Sequence, residues 1–367
     1  MDYSSLSAFI GVGMSASTGA GRVSHILKSH LGSHKYFANV LLNRDSSWLE
    51  IHRQNNQVEK ISRGFRKAGK SVFTLSLKGK IPAFRKSFLE TQNLACLKIP
   101  RAGIFAFDIF YRTHPDTWAD IILGRTLYRG LKDYPFILTC SEYSRGEISE
   151  CFKINPEKIK VVPLDCDRSV FKIKNVYKTP WLKKNNLPSD KIILSHVSSG
   201  DKRKNLPGIL KAFQLVLEKY PNAIFIKAGK ILRGHNHDSL LKLIDSMGLK
   251  QKVFFLEGLS DHDLSDLYNV SDVFLFPSLA EGFGIPVLEA QASGCPVVTS
   301  NSSSLKEIAG PLCLAVNPTD SISIATAVDE ILKNPLFRLK NQDPNEQYLL
   351  RFNYDRAKQE VFNWLFL

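Results

Sequence analysis

Pro277-Ser-Leu-Ala-Glu281-Gly-Phe-Gly284-Ile-Pro286-Val-Leu-Glu289-Ala290 lies between two segments of different character. Before it, Asp272-Val-Phe-Leu-Phe276 is a short apolar run that reads as a buried strand; after it, Ile285–Ala292 reads as a helix. Pro286 falls in the first turn of that helix, where a missing N–H costs nothing. Gly282 and Gly284 let the backbone pass close to a ligand. The free N–H groups of the first turn, with the helix dipole, suit an anion such as a diphosphate. Glu281 stands in the loop and Glu289 about one turn inside the helix. Two carboxylates eight residues apart beside an anion site are poor phosphate contacts and good acceptors for sugar and ribose hydroxyls. The plain alternative is that Glu281 caps the helix and Glu289 faces solvent.

Outward from this junction, strand-like and helix-like runs alternate. Ile192–Val197, Ala223–Ala228, Val253–Leu256, Pro296–Thr299 and Leu312–Val316 read as strands. Helical patterns at Leu206–Tyr220, Ser239–Met247, Asp263–Tyr268, Leu305–Ala309 and Ser321–Leu332 separate them. Alternation at this spacing means a parallel sheet covered on both faces. The first half repeats the grammar less cleanly, with strands at Leu6–Met14, Ile104–Tyr111, Pro135–Cys140 and Ile159–Leu164 and a helix at Ser144–Cys151. The expected fold class is therefore α/β, with two Rossmann-like, doubly wound domains facing a central cleft. The expected boundaries are 1–168 for the first domain, 169–190 for a polar linker with Pro180 and Pro188, and 191–345 for the second domain. A closing aromatic helix at 346–367, after a loop at Asn341–Asn345, would pack back toward the first.

Composition bounds the function. With 367 residues, 44% hydrophobic and 23% charged, the chain has material for two cores. No run approaches the roughly 20 apolar residues that span a bilayer. The opening lacks an early basic residue and its apolar run carries Gly11 and Gly13, so it reads as a first strand and not a secretory signal. A cytoplasmic protein is expected. Six cysteines without a CxxC pair suit reduced thiols. His235 and His237 have no neighbouring ligand set, and no metal is expected.

The net charge of +14 is unevenly spread. Lys60, Arg63, Arg66, Lys67, Lys70, Lys78, Lys80, Arg85 and Lys86 fall in one stretch with no acidic residue, interleaved with Phe65, Phe73, Leu75, Leu77, Ile81 and Phe84. This segment is either a solvated face or a surface that meets an anionic membrane or acceptor, which would place the protein peripherally on the inner membrane face. No nucleic-acid-binding signature accompanies it, so no nucleic-acid partner is expected.

The E-G-F-G-x-P-x-x-E-A element, with its flanks Asp263–Tyr268, Asp272–Ser278, Gly294–Ser304 and Glu307, resembles the family 4 glycosyltransferases, retaining enzymes of the GT-B fold. The resemblance is strongest over Ile192–Val316. It implies a nucleotide diphosphate sugar as donor, a glycan or glycolipid hydroxyl as acceptor, and no metal. Glu281 would position the sugar, Glu289 would hold the ribose, and the backbone of Gly282, Phe283, Gly284, Ile285 and Pro286 would line the donor site. Asp201-Lys-Arg203-Lys204-Asn205 resembles the family's R-K-N element. It implies that Lys204, helped by Arg203, contacts the diphosphate. Where many members carry a G-R pair ahead of the lysine, this chain has Ser198-Ser199, which leaves one cation to be replaced. Thr18–Arg22 resembles the family's first glycine loop, implying close approach at Gly21. His114 resembles the histidine placed near the donor sugar, and stands equally well as a plain loop residue. Asp165-Cys-Asp167 mimics a metal motif of a different fold, and the metal-independent neighbourhood argues against that use.

The implied activity is transfer of a hexose, with mannose favoured, in surface polysaccharide assembly. An inactive sugar-nucleotide-binding protein or an epimerase of the same fold are the alternatives.

Overall fold

The computed structural model describes residues 101–229, 235–334 and 336–367, the strands at 7–11, 37–42, 48–52, 58–62 and 86–89, and residues 26, 27 and 95. Gly21 and residues 63–85 of the basic segment lie outside the described residues, as do the His235 and His237 side chains. The chain divides into two compact units, Met1–Leu164 with Asn353–Leu367, and Asp165–Phe352.

The first unit is built on strands β1 (Ser7–Gly11), β2 (Phe37–Leu42), β3 (Trp48–His52), β4 (Val58–Ser62), β5 (Lys86–Leu89), β6 (Ala102–Phe105), β7 (Phe136–Thr139) and β8 (Ile159–Val161). They form one sheet in the order β4-β3-β2-β1-β5-β6-β7-β8. Pairing is parallel except on either side of β3. Helices α1 (Phe110–Thr113), α2 (Trp118–Leu127) and α3 (Glu142–Phe152) follow β6 and β7. Thr117 and Asp120 close a reciprocal capping box at the start of α2, and the Ser141 hydroxyl accepts from Ser144 N at the start of α3. The strand expected over Ile104–Tyr111 ends at Phe105. The apolar run continues as a buried loop through Ile109 into α1, because hydrophobicity alone does not separate a strand from a buried turn.

The second unit is a six-stranded parallel sheet of β9 (Ile192–Val197), β10 (Ala223–Ala228), β11 (Val253–Leu256), β12 (Val273–Phe276), β13 (Val297–Ser300) and β14 (Cys313–Val316). Its order is β11-β10-β9-β12-β13-β14, so the chain reverses its direction of travel between β9 and β12. Such a reversal opens a crevice beyond the carboxyl ends of the two central strands. The helices are α4 (Lys178–Lys184), α5 (Leu206–Lys219), α6 (His235–Ser246), α7 (Asp261–Val270), α8 (Ile285–Ala292), α9 (Leu305–Ile308), α10 (Ser321–Lys333) and α11 (Phe337–Leu349). Strand alternation divides the core. Leu194, Phe225 and Leu275 pack with Ile209, Phe213 and Val328 on one face, while Ile193, Ile224 and Ile226 pack with Trp181, Leu182 and Leu267 on the other.

The stretch 169–190 is not a free linker. It belongs to the second unit and carries α4, with Trp181, Leu182 and Leu187 buried. Its polar composition hides these anchors and the fully buried Phe171, and Pro180 sits in the first turn of α4, where a proline is tolerated. The closing segment is likewise two helices and not one. The expected loop Asn341–Asn345 is inside α11, which accommodates Pro344, and Asn345 donates to the Gln291 carbonyl at 3.0 Å. A break at Leu350–Tyr354 precedes α12 (Asp355–Phe366), which belongs to the first unit. There Trp364 stacks on Phe136 with ring centroids 5.0 Å apart and donates to the Ser87 carbonyl at 2.9 Å. A side chain at Gly103 would collide with Phe136 and Phe88, so glycine makes room for this stack. Among the described residues no helix is long and apolar enough to cross a membrane.

Candidate active site

The loops after β9 and β12 meet at the point where the second sheet reverses, and the side chains read from the sequence converge there. Lys204 ends the 3-10 turn Lys202–Lys204, and its Nζ donates to Glu281 Oε1 at 2.6 Å. Arg203 Nη1 donates to Glu281 Oε2 at 2.8 Å, while its other terminal nitrogen reaches Asp201 at 3.3 Å. Glu281 is 5% exposed and Lys204 8%. One buried carboxylate is thus held between two cations. Lys204 also lies over the Phe276 ring, 5.1 Å from its centroid.

Burial alone would push Glu281 above the usual carboxylate range. Lys204 and Arg203 outweigh it and hold the group below that range, so it is ionised. Burial draws Lys204 below the ordinary lysine value; Glu281 opposes that shift and Arg203 adds to it.

The backbone that brings these groups together is stapled at several points. Asn205 adopts φ +58°, a left-handed conformation that asparagine tolerates better than most residues. From there its side chain donates to the Pro277 carbonyl at 3.1 Å and the Pro318 carbonyl at 2.6 Å. Leu279 N donates to the Arg203 carbonyl at 2.7 Å. On the far side, Ser304 Oγ donates to the carbonyls of Glu281 and Phe283 at 2.7 and 3.0 Å. In the sequence Asn205 and Ser304 lie within the matching stretches with no role of their own. An asparagine just before a proline-containing first turn was the available signal for Asn205.

Glu289 lies in α8, 2% exposed, and Tyr268 at the end of α7 donates to its Oε2 at 3.0 Å. It is a buried, hydrogen-bonded carboxylate and not a solvent-facing residue. Gly284, at φ +102°, is the N-cap of α8, and a Cβ there would lie 2.5 Å from Leu305 Cδ2. Its glycine is required by the turn and by packing on α9. Phe283 packs edge-on to Phe352, Ile285 is buried, and Pro286 occupies the first turn of α8 as expected. No side chain caps that turn.

Deeper in the sheet, His196 joins the same junction. Its Nδ1 is 2.8 Å from the Leu275 carbonyl, which only accepts, so Nδ1 carries the proton. Nε2, 2.7 Å from Ser198 Oγ, must then accept from the serine hydroxyl. Burial pushes this imidazole down to about 3, and it stays neutral. Lys227 lies nearby on β10, donating to the Ser198 and Gly229 carbonyls at 2.7 and 2.9 Å.

The remaining candidates fall elsewhere. His114 follows α1 in the first unit, with Nδ1 2.9 Å from Thr113 Oγ1. Asp165 accepts from Cys166 N and Arg168 Nε, and Asp167 accepts from the Ser169 backbone and hydroxyl, so both carboxylates of that pair have local partners.

Known proteins resemble this chain in ways that fit the geometry. It is 32% identical over 217 residues to O-antigen chain mannosyltransferase B of Escherichia coli, an alignment covering 59% of this chain and 56% of that protein. The chain thus spans little more than half the length of that relative. It is 29% identical over 296 residues to O-antigen chain mannosyltransferase RfbU of Salmonella typhimurium, covering 80% and 77% of the two chains. Anabaena HepE, solved in complex with UDP, superposes with a TM-score of 0.70 at 14% identity over 98% of each chain. That likeness establishes the fold, α/β of the GT-B type, here with one mixed and one parallel sheet. Residues 178–347, the part of the chain that carries Arg203, Lys204, Glu281 and Glu289, match the family described as glycosyl transferases group 1.

Proposed function

We propose that the protein is a retaining glycosyltransferase of family 4. It moves a hexose, with mannose favoured, from a nucleotide diphosphate sugar to a hydroxyl of a glycan or glycolipid acceptor in surface polysaccharide assembly. The observation that carries this reading is the Lys204–Glu281–Arg203 cluster at the switch point, with Glu289 buried in the helix that follows. The preference for mannose rests on the two O-antigen mannosyltransferases among the relatives.

Without donor, Glu281 keeps both cations at the strand ends. A diphosphate arriving there competes for Lys204 and Arg203, freeing carboxylate lone pairs for sugar hydroxyls, while Glu289 takes the ribose. As the glycosidic bond breaks, charge grows on the leaving diphosphate. Lys204, Arg203 and the N-termini of α5 and α8 stabilise that charge as it develops. Positive charge supplied in this way calls for no metal ion, and Asp165 and Asp167 are engaged by Arg168 and Ser169.

The membrane-facing part of the proposal rests on charge. Residues 63–85 lie outside the described residues, but α2 adds a surface of the same kind. Trp118 is 83% exposed and Ile122 61%, and exposed Arg125 follows on the same helix face, with Arg129 just beyond. An exposed tryptophan and isoleucine followed by arginines along one helix face suit an anionic bilayer, against the charge of Asp116 and Asp120 at the helix start.

The decisive experiment is a thermal-shift screen with GDP-mannose, UDP-glucose and related donors in excess EDTA. A donor at 100 times its Kd stabilises the folded state by about 2.7 kcal/mol. A nucleotide sugar should raise the melting temperature, and stay unconverted until an acceptor is added. No shift with any nucleotide sugar overturns the reading; conversion of donor alone identifies an epimerase.

A further inference from the structure

Lys227, 1% exposed, is a buried cation that the donor chemistry leaves unused. It pairs in register with His196 across β10 and β9, and its ammonium reaches just past the ends of both strands. There it donates to the carbonyls of Ser198 and Gly229 at 2.7 and 2.9 Å. Gly229, at φ +93°, lets the two chains close this tightly, since a Cβ there would lie 2.9 Å from the Ser198 carbonyl oxygen. Ser198 is held from its other groups as well. Its Oγ donates to His196 Nε2 at 2.7 Å and its N–H to the Ala228 carbonyl at 3.1 Å.

That fixation gives the next peptide a direction. A trans peptide points its N–H opposite to its C=O. The Ser198 carbonyl turns inward to the buried ammonium, so the N–H of the same peptide, on exposed Ser199, turns outward. Among the described residues nothing accepts from the backbone N–H of Ser199 or Gly200. The same loop runs on to Arg203 and Lys204. A cation on the carbonyl oxygen polarises the peptide and makes its N–H a stronger donor, an effect that burial enlarges. Arg203 and Lys204 are already matched by Asp201 and Glu281. A doubly charged diphosphate arriving there therefore gains from a further, pre-set positive group.

We propose that Lys227 is a positioning residue for the donor: through the Ser198–Ser199 peptide it aims the Ser199 N–H at the diphosphate, beside Arg203 and Lys204. The ammonium does this without touching the ligand. A lysine serving only the core would be out of place, since an apolar side chain of its size avoids the cost of burying a charge. The role rests on the glycosyltransferase reading of the site. Burial draws Lys227 down to about 8, while Glu257 and Asp201 favour its protonated form. Of the other titratable groups beside it, His196 is neutral and Lys204 is held by Glu281. Lys227 is thus charged below about 8 and loses its proton above it. A bound diphosphate favours the charged form, so the donor should bind more tightly at the lower pH and draw a proton onto the lysine as pH rises past that point.

Titration calorimetry of the full chain with GDP-mannose and UDP-glucose, in buffers of different ionisation heat, tests this. Wild-type affinity should decline above the lysine pKa, with proton uptake on binding. Lys227→Met should bind about tenfold more weakly at neutral pH, the equivalent of about 1.4 kcal/mol, and should show neither the decline nor the uptake. Comparing the two proteins removes any titration of the nucleotide itself. Ser199→Pro deletes the N–H and leaves the lysine; it should weaken binding to a similar degree and lose the uptake, and joining it to Lys227→Met should cost no further affinity. Should Lys227→Met not fold, wild-type uptake and its loss in Ser199→Pro carry the test. Wild type without uptake, unchanged affinity in Lys227→Met, or additive losses in the double variant overturn the role while leaving the donor site standing. Failure of every sugar nucleotide to bind wild type overturns the donor reading, and this role with it.

Discussion

Removing Glu281 outright would confound catalysis with folding. Lys204 and Arg203 would lose the carboxylate they share, and breaking a buried pair from one side costs about 3–5 kcal/mol. Glu281→Gln keeps the shape and an accepting oxygen, and so is the cleaner probe. A hydrogen bond to a charged group contributes about 1.5–3 kcal/mol, which corresponds to roughly 10- to 150-fold in rate. Glu281→Gln and Glu289→Gln should each slow transfer by that factor at saturating donor, with unchanged circular dichroism. Near-normal turnover in both would remove Glu281 and Glu289 from the proposed chemistry. At this scale the sequence was legible where a residue type has few uses. The sequence directs Lys204 and Arg203 to a diphosphate and Glu281 to a sugar; that the three bind one another is seen only in the fold. Tyr268 and His196 were not legible, because a tyrosine on an amphipathic helix and a histidine in an apolar strand look like ordinary core. Glu289 is 21 residues from Tyr268 and only the fold pairs them, whereas Ser198 is two residues along the extended chain from His196 and shares its face.

Between residues and elements, the turn from β9 into α5 decides whether the cations face Glu281 at all. Asn205 holds that turn through its left-handed φ of +58° and its bonds to Pro277 and Pro318. Asn205→Ala loses both bonds and adds backbone strain, and should destabilise the protein by about 2–4 kcal/mol. Asn205→Gly relieves the strain alone and should fall between alanine and wild type. Urea unfolding checks the ranking; a glycine variant no better than alanine would show that φ is not the constraint. Elements of the second unit were readable because each strand is a compact apolar run followed by a helical period. The polar stretch 169–190 and the last two helices were not. Two buried side chains in α4, Trp181 and Leu182, are too few to give a period, and Pro344 inside α11 imitates a loop.

Across the whole molecule, a net charge of +14 has to be reconciled with a proposed donor site in which Glu281 already offsets Lys204 and Arg203. The excess is drawn in large part from the run between Lys60 and Lys86. Each cation near an anionic bilayer contributes about 1 kcal/mol, screened over a Debye length of about 8 Å at physiological salt. An acceptor carried on a lipid would give that charge a purpose. The protein should then bind vesicles containing acidic phospholipid at low salt and leave them at high salt. Reversing Arg63, Arg66, Lys67 and Lys70 together should abolish the salt-dependent binding without changing the donor-induced thermal shift. Trp118→Ala with Ile122→Ser should weaken the part that survives high salt, since insertion of apolar side chains is not screened. Binding lost only in the second variant would move the docking face to α2. A wild-type protein that ignores such vesicles at low salt would make the charge an ordinary solvated surface, and would turn the search for the acceptor toward soluble glycans.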